Sequence, residues 1–188
     1  MKFPESALAH QYLDGLKGIE IGGSAHNSFG LDTINVDRWG DMENHFKQNE
    51  IEECGEAMPV QVVAEGDALP FPDQSFDFVL SSHVIEHFYD PIKALLEWAR
   101  VARKYLFIIV PHRQRIFDGH LALTEVAVLQ ERYRSGIRIE TKYRGYHWGV
   151  YEPENFNELC VLCGLKVVEI QDPDDKVGNG FTFVIKLD

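Results

Sequence analysis

Residues 18–37 read GIEIGGSAHNSFGLDTINVD and contain two short β-branched runs separated by a glycine-containing turn. The first run covers residues 19–21, and the second covers residues 33–36 and ends at Asp37. Runs of this composition, bounded by turn-forming residues, are typical of strands. The stretch therefore predicts a strand, a glycine turn and a second strand that ends in a carboxylate.

Further along the chain, apolar runs alternate with helical patterns. The run at residues 105–110 is apolar throughout, as a strand covered on both faces should be. Strands are also predicted at 60–63 and 76–80, helices at 91–102 and 153–163, and two closing strands at 165–170 and 181–187. The loop between the closing strands is rich in turn formers and favours an antiparallel hairpin. The pattern predicts an α/β fold with a single Rossmann-like, doubly wound sheet, mostly parallel, with a C-terminal antiparallel hairpin.

The size and composition fit one globular domain. A chain of 188 residues with 45% hydrophobic residues can bury a sizeable core, so a single domain is expected over residues 1–188. No apolar run approaches the roughly 20 residues that span a bilayer, and three cysteines cannot all form pairs. We therefore expect a cytoplasmic protein without a membrane span, whose cysteines stay reduced.

The formal net charge of −12 argues against nucleic acid as a partner. Basic residues nevertheless concentrate between residues 100 and 144, which contain ten of the eighteen Lys and Arg residues but only four acidic residues. One interpretation of this segment is a set of solvated helix faces. The other is a cavity mouth that attracts an anionic substrate.

Three acidic residues lie in or after the predicted strands: Glu20, Asp37 and Asp67. In a Rossmann-type sheet, the acid that ends the second strand accepts hydrogen bonds from ribose hydroxyls, which assigns that role to Asp37. Each acid also has a plainer interpretation: a buried carboxylate bonded to a turn, a surface ion pair with Arg38, and an Asx turn, respectively. Residues 22–27 depart from the G-x-G-x-x-G pattern, which counts against NAD or FAD.

A longer motif, at residues 66–91, indicates which cofactor the sheet binds. Residues 66–79 read GDALPFPDQSFDFV, and residues 81–91 read SSHVIEHFYDP. The first segment resembles the GDAxxLPFxDxSFDxV signature of class I S-adenosylmethionine-dependent methyltransferases of the small, type 11-like variety. The second resembles the segment that follows that signature in the family. The resemblance extends over residues 15–112 and implies a methyltransferase that uses S-adenosyl-L-methionine.

The resemblance implies a cofactor-binding set after the first four strands: Glu20, Gly22, Gly23, Ser24, Asp37, Asp67, Ala68, Ser81 and Ser82. The members from the first strand and its turn would hold the methionine end of the cofactor. Asp37 would bind the ribose hydroxyls, Asp67 would meet the adenine amino group, and the Ala68 amide would contact the adenine ring. The two serines would line the methionine side below the sulfonium.

Two shorter motifs favour other chemistry. Residues 83–87 match the H-x-x-E-H pattern of a zinc peptidase, in which His83 and His87 would share a helix face and bind zinc. The methyltransferase resemblance accounts for the same residues, so no metal is expected. Cys160 and Cys163 form a single C-x-x-C pair, whereas zinc ribbons need two such pairs, and packing within a helix is the simpler role.

The 111–151 segment follows the fifth predicted strand, where a class I sheet often inserts a substrate lid. Its histidines, tyrosines and basic residues suit a sugar or nucleotide ring that carries negative charge. Methyl transfer to an alcohol needs a base, and histidine titrates near neutral pH. The candidate bases are His112, His147 and His120, in that order. The candidate acceptor-binding residues are Arg113, Arg115 and Tyr146.

The sequence therefore predicts O-methylation of a small-molecule or saccharide acceptor, anionic if the basic segment faces it. The 111–151 segment also resembles small methyltransferases that occur with glycosyltransferases in surface-polysaccharide pathways. Because the glycine motif is irregular, a non-catalytic S-adenosylmethionine-binding module with a regulatory or partner role stays open as the alternative. A homodimer stays open as the oligomeric state.

Overall fold

The computed structural model describes residues 3–23, 26–139 and 146–188. The helices in these ranges are α1 (Ala7–Leu13), α2 (His45–Cys54), α3 (Pro91–Val101), α4 (Val126–Ser135) and α5 (Pro153–Leu162). The strands are β1 (Lys17–Ile21), β2 (Asp32–Asp37), β3 (Val62–Val63), β4 (Phe76–Ser82), β5 (Ala102–Pro111), β6 (Lys166–Gln171) and β7 (Gly180–Lys186). Short 3-10 helices occupy Ile85–His87, Arg113–Arg115 and Phe117–His120.

The strands of the described chain form one sheet in the order β3-β2-β1-β4-β5-β7-β6. β1 to β5 are parallel, and β7 runs antiparallel to both β5 and β6. The chain progresses outward in opposite directions from β1 and β4, so a topological switch point lies between them. The predicted doubly wound, mostly parallel sheet with a C-terminal antiparallel hairpin is confirmed.

The two faces of β5 bury their side chains in two separate clusters, as the two-residue period of a strand requires. Leu106 and Ile108 belong to the larger cluster, which contains Trp98 of α3. Phe107 and Ile109 belong to the smaller cluster, which contains side chains of α1. Helices thus cover both faces of the central strands. None of the helices in the described ranges combines the length and the apolar character needed to cross a bilayer.

One predicted strand boundary is wrong. The third strand covers only Val62–Val63, shorter than the predicted 60–63. The zinc-peptidase alternative requires a helix at residues 83–87, and none is formed there: His83 has a positive φ of 55°, and only Ile85–His87 makes a 3-10 turn. His83 and His87 therefore do not share a helix face, and the arrangement expected of a zinc peptidase is not formed.

Helix α2 was not predicted, and its composition explains why. It begins at the cap residue Asn44, whose side chain accepts a hydrogen bond from the Lys47 amide, and it ends at Gly55 in the left-handed conformation. Its buried side chains are Lys47, Glu50 and Cys54 instead of an apolar stripe. A helix that buries polar groups lacks the hydrophobic period from which amphipathic helices are recognised.

Candidate active site

A cavity of about 1390 Å³ opens beyond the carboxyl ends of the parallel strands. Small-molecule sites usually measure about 300–1,000 Å³, so this one has room for a cofactor and an acceptor together. We call one side the strand-end wall; it includes Ile21, Gly22, Asp37, Asp67 and Ser82. We call the other side the opposite wall; it includes Arg115, Phe117, Tyr133, Ile137 and His147.

Glu20 lies behind the strand-end wall with only 1% of its surface exposed. Its Oε1 has no hydrogen-bond partner among the described residues, and it lies 3.9 Å from His26 Nε2. Burial raises the pKa of Glu20 to about 7, although the nearby Lys176 and Lys47 oppose that rise. The site therefore contains a buried acceptor atom that a ligand could satisfy.

The glycine turn after β1 is shaped by close contacts. Gly22 has a φ of +70°, and a Cβ there would lie 2.6 Å from Val84, so only glycine fits. The Gly23 carbonyl accepts a hydrogen bond of 2.6 Å from Lys47 Nζ, and Lys47 forms a 2.8 Å ion pair with Glu50. Both charged side chains are fully buried. A buried ion pair from α2 thus holds the turn.

Two of the predicted carboxylates line the strand-end wall. Asp37 ends β2, and its Oδ1 accepts a hydrogen bond of 2.9 Å from the Trp39 amide. Asp67 accepts hydrogen bonds of 2.6 Å from Lys93 Nζ and 3.2 Å from the Arg138 guanidinium. An adenine amino group would therefore meet Asp67 in a network that already contains two cations.

The remaining cofactor candidates differ in their placement. Ser82 lines the cavity and Ser81 lies outside its lining; both are buried, with hydroxyls that lack hydrogen-bond partners among the described residues. The Ala68 amide donates to the Glu65 carbonyl at 3.0 Å, so the turn uses the amide that was expected to contact adenine. Ser24 lies outside the described residues.

On the opposite wall, His147 is held by a buried carboxylate. Its Nδ1 lies 2.5 Å from Oδ2 of Asp118, which is itself buried. A carboxylate accepts, so Nδ1 carries the proton and Nε2 carries the lone pair. The His147 ring also contacts His87 and Phe117, with centroid distances of 4.8 and 4.9 Å. The ring is therefore fixed in both tautomer and orientation.

Two neighbouring residues of the 3-10 turn after β4 complete this corner of the cavity. His87 Nδ1 donates to the Tyr146 carbonyl at 3.0 Å, and His87 Nε2 lies 3.7 Å from Glu86 Oε1. Glu86 is 1% exposed, and its Oε2 lacks a hydrogen-bond partner among the described residues. One nitrogen or oxygen each from Glu86, His87 and His147 lie within 4.8 Å of one another, and we call these residues the Glu86–His87–His147 cluster.

The other two candidate bases lie outside the cavity lining. His112 is buried beside β5, and its Nδ1 accepts a hydrogen bond of 3.2 Å from the Gln114 amide. His120 is exposed, and its Nδ1 donates to the Phe117 carbonyl at 3.0 Å. Of the three histidines, the structure places only His147 on the cavity.

Of the candidate acceptor-binding residues, some line the cavity and others do not. Arg113 forms a 3.0 Å ion pair with Glu152, away from the cavity. Arg115 lines the cavity but is paired with Asp172. Tyr146 is half exposed and packs against Trp148 outside the lining. Carboxylates thus offset the charges of Arg113 and Arg115, the two arginines considered as acceptor-binding residues.

Asp118 and Lys47 were not predicted from the sequence, whereas Glu86 and His87 were considered both as part of a zinc-peptidase motif and as a structural pair at the edge of the pocket. Asp118 lies 29 positions before His147, a separation that no local pattern reveals. The pair Glu86–His87 was visible within a motif, but its partner His147 was not.

The family model described as "Methyltransferase domain" matches residues 21–109, from the end of β1 almost to the end of β5. This range contains Gly22, Asp37 and Asp67 on the strand-end wall. Residues 21–109, which are 89 of the 188 positions, therefore correspond to the methyltransferase domain of S-adenosylmethionine-dependent enzymes. The methyl donor of that family is S-adenosylmethionine.

The chain is similar to one enzyme over a short stretch of sequence and to several solved structures over nearly its whole length. It is 51% identical over 47 residues to ajmaline N-methyltransferase of Rauvolfia serpentina, a match that covers 24% of this chain and only 16% of that enzyme. Its fold is similar to that of a SAM-dependent methyltransferase from Aquifex aeolicus, with a TM-score of 0.55, 18% identity and coverage of 98% and 95% of the two chains. A SAM-dependent methyltransferase structure from Methanosarcina mazei gives a TM-score of 0.56, 14% identity and coverage of 96% and 97%.

Proposed function

We propose that the chain transfers the methyl group of S-adenosylmethionine to a hydroxyl oxygen of a small or sugar-like acceptor. The observation that carries this proposal is the Asp118–His147 pair, which faces the cavity from the wall opposite the strand ends. Bound S-adenosylmethionine supplies an electrophilic methyl group: the acceptor oxygen bonds to the methyl carbon, the carbon–sulfur bond breaks with its electron pair left on sulfur, and the hydroxyl proton departs.

The strand-end wall fits the cofactor. The Glu20 carboxyl, which is buried and whose Oε1 has no hydrogen-bond partner among the described residues, suits the positively charged amino group of the methionine part. The Gly22 turn, which leaves no room for a Cβ, lets the cofactor approach the backbone. Asp37 ends β2, where a Rossmann-type site binds ribose. Asp67 and Ser82 line the space between these groups.

The opposite wall fits the acceptor. A hydroxyl must lose its proton during transfer, and a histidine oriented by a carboxylate is a recurrent device for handling such a proton. Phe117 and Tyr133 supply aromatic surface for a ring-shaped acceptor. Arg115 has its charge offset by Asp172, so the acceptor need not be anionic. We assign the 111–151 segment the role of an acceptor-binding lid within a single domain.

Calorimetry with S-adenosylhomocysteine tests the cofactor half of the proposal. The wild-type chain should bind it, and Asp37→Ala should weaken binding by about 1.5–3 kcal/mol, the contribution of hydrogen bonds to a charged group. Asp32→Ala is the matched control, because Asp32 begins the same strand and is exposed. Absence of binding at millimolar ligand would contradict the proposal.

Label transfer from methyl-labelled S-adenosylmethionine tests the acceptor half. A panel of phenols, sugars and amines should accumulate label on hydroxyl oxygens in the presence of the enzyme. Amines belong in the panel because a relative is named as an N-methyltransferase. Labelling of amines in preference to every hydroxyl compound would exclude O-methylation while leaving the cofactor assignment intact.

A further inference from the structure

We infer that the Glu86–His87–His147 cluster binds one divalent transition-metal ion, and that this ion holds the acceptor oxygen during methyl transfer. The role of the ion rests on the proposed function, whereas binding of the ion does not. No metal was expected from the sequence, because the methyltransferase resemblance accounts for residues 83–87, and only the fold brings His147 beside Glu86 and His87.

The Glu86–His87–His147 cluster offers donor atoms of the kinds that transition metals bind. Two imidazoles and one carboxylate converge within 4.8 Å, and Glu86 Oε1 already lies 3.7 Å from His87 Nε2. Ligands bound at about 2.0–2.2 Å lie roughly 3–4 Å apart around a metal. Small side-chain rotations would therefore bring the three donors to bonding distance.

The two histidine rings are oriented by hydrogen bonds from their Nδ1 atoms. A histidine that binds a metal nearly always donates its other ring N–H to a carboxylate or a backbone carbonyl. His147 Nδ1 bonds to Asp118, and His87 Nδ1 bonds to the Tyr146 carbonyl. Both rings are thereby set to offer Nε2 as a ligand, and each has the supporting partner that metal sites use.

The Glu86 carboxylate has an unsatisfied oxygen in a buried position. Its side chain is almost fully buried, yet Oε2 has no hydrogen-bond partner among the described residues. A buried carboxylate without compensation is costly. A cation beside Oε1 and Oε2 would remove that cost, which gives the unsatisfied atom a physical reason.

The ligand types select the ion. Magnesium and calcium prefer oxygen-only sites, whereas imidazole favours zinc, cobalt, iron or nickel. Three protein ligands at the edge of a cavity leave a coordination position for an acceptor oxygen, as in catalytic zinc sites. A hydroxyl bound there would lose its proton to solvent water more readily, since the cation lowers the pKa of the hydroxyl. With the ion bound, His147 Nε2 would assist proton loss as a ligand of the ion instead of accepting the proton itself, and without the ion the same atom would be the base described under the proposed function.

The test is a titration of the untagged, chelator-treated protein with Co²⁺, followed by visible absorption, and with Zn²⁺, followed by calorimetry. The wild type should bind one equivalent of each. His87→Ala, His147→Ala and Glu86→Gln should weaken binding by about 100-fold or more, and Asp118→Asn by about 10-fold. His45→Ala, which removes an exposed histidine of α2, is the matched control and should bind like the wild type.

Each sample is also titrated with S-adenosylhomocysteine, so that a variant that fails to fold is recognised, and Glu86→Gln, the most conservative change, keeps the test decisive. A wild type that binds no stoichiometric Co²⁺ or Zn²⁺, or cluster variants that bind them as tightly, would overturn the inference. Methyl transfer that persists without metal would overturn the role of the ion and leave the proposed function standing. Metal binding without O-methylation would keep the site and remove the proposed function.

Discussion

The two walls of the cavity are built in different ways. The strand-end wall takes its residues from the ends of consecutive strands, so Gly22, Asp37 and Asp67 meet because parallel strands share an edge. The opposite wall takes Arg115, Tyr133 and His147 from separate parts of the chain, and its His147 is held by Asp118, which lies behind it. The first wall follows from topology, whereas the second depends on how residues 111–139 and 146–151 pack.

The walls also differ in the surroundings of the buried carboxylate oxygen that lacks a hydrogen-bond partner near each of them. Near the strand-end wall, Oε1 of the Glu20 carboxyl lacks a hydrogen-bond partner among the described residues, and burial raises the pKa of this carboxyl to about 7. At the opposite wall, Glu86 is similarly unsatisfied but lies beside two oriented imidazoles. The first arrangement suits a cationic organic ligand, and the second suits a metal ion or an acceptor hydroxyl.

Removal of His147 should affect turnover without affecting cofactor binding, and this is the largest difference expected between the two walls. His147→Ala should lower turnover by about 10²–10⁴-fold, the usual contribution of a group that assists proton removal, while S-adenosylhomocysteine affinity changes by less than about two-fold. Initial rates at saturating cofactor, together with calorimetry, measure both. His10→Ala is the control, because His10 also pairs with an aspartate, Asp14, but lies on α1. Equal losses in both variants would assign the effect to stability.

Removal of the buried Lys47 cation, which holds the glycine turn of the strand-end wall, should destabilise the fold. Lys47→Met leaves Glu50 buried without its partner, which should lower the free energy of unfolding by about 3–5 kcal/mol. Urea denaturation measures this change. Lys104→Met breaks an ion pair whose lysine side chain is 48% exposed, and it should lower the free energy of unfolding by less than about 1 kcal/mol. Similar costs for the two variants would mean that the buried pair does not hold the turn.

The Glu20 carboxyl should make cofactor binding depend on pH. Burial raises its pKa to about 7 against the opposing effect of Lys176 and Lys47, and Glu50 adds to the rise. The ionised form favours a cationic ligand, so S-adenosylmethionine affinity should increase as pH rises and level off above about pH 8, with about a ten-fold loss at pH 6. Calorimetry across this range measures the slope. Glu20→Gln should flatten the profile, and an unchanged slope would assign the titration to another group.

The smallest effect is expected at the rim of the cavity. Arg138 bonds to Asp67, but 65% of its side chain is exposed. Arg138→Gln should therefore change the free energy of unfolding by less than about 0.5 kcal/mol, as for other solvent-screened pairs. A loss above about 1 kcal/mol would show that Arg138 is part of the structural core of the strand-end wall.

Several elements could be predicted from local patterns. The β-branched runs and the amphipathic pattern of α3 are visible in short windows, and their alternation along the chain indicated a doubly wound, mostly parallel sheet. The motif at residues 66–91 names the family because it is long. Asp37 could be placed at the site because it ends a strand, and strand ends are where such sheets bind ligands.

The remaining features had no local signal. Helix α2 buries Lys47 and Glu50, so its inward face resembles a solvated one in the sequence. The choice among His112, His120 and His147 depended on which of them faces the cavity, and the order predicted from the sequence began with His112. The Ala68 amide could not be judged either, because its partner Glu65 is set by the shape of the turn.

By itself, the sequence determined the α/β sheet, the methyltransferase family and the cofactor, because hydrophobic period and a long contiguous motif are local properties. Only the tertiary structure decided which of the three candidate histidines lines the cavity and that Glu86, His87 and His147 converge. Those contacts join residues up to 61 positions apart in the chain, and their geometry depends on how residues 111–139 and 146–151 pack against the ends of the strands.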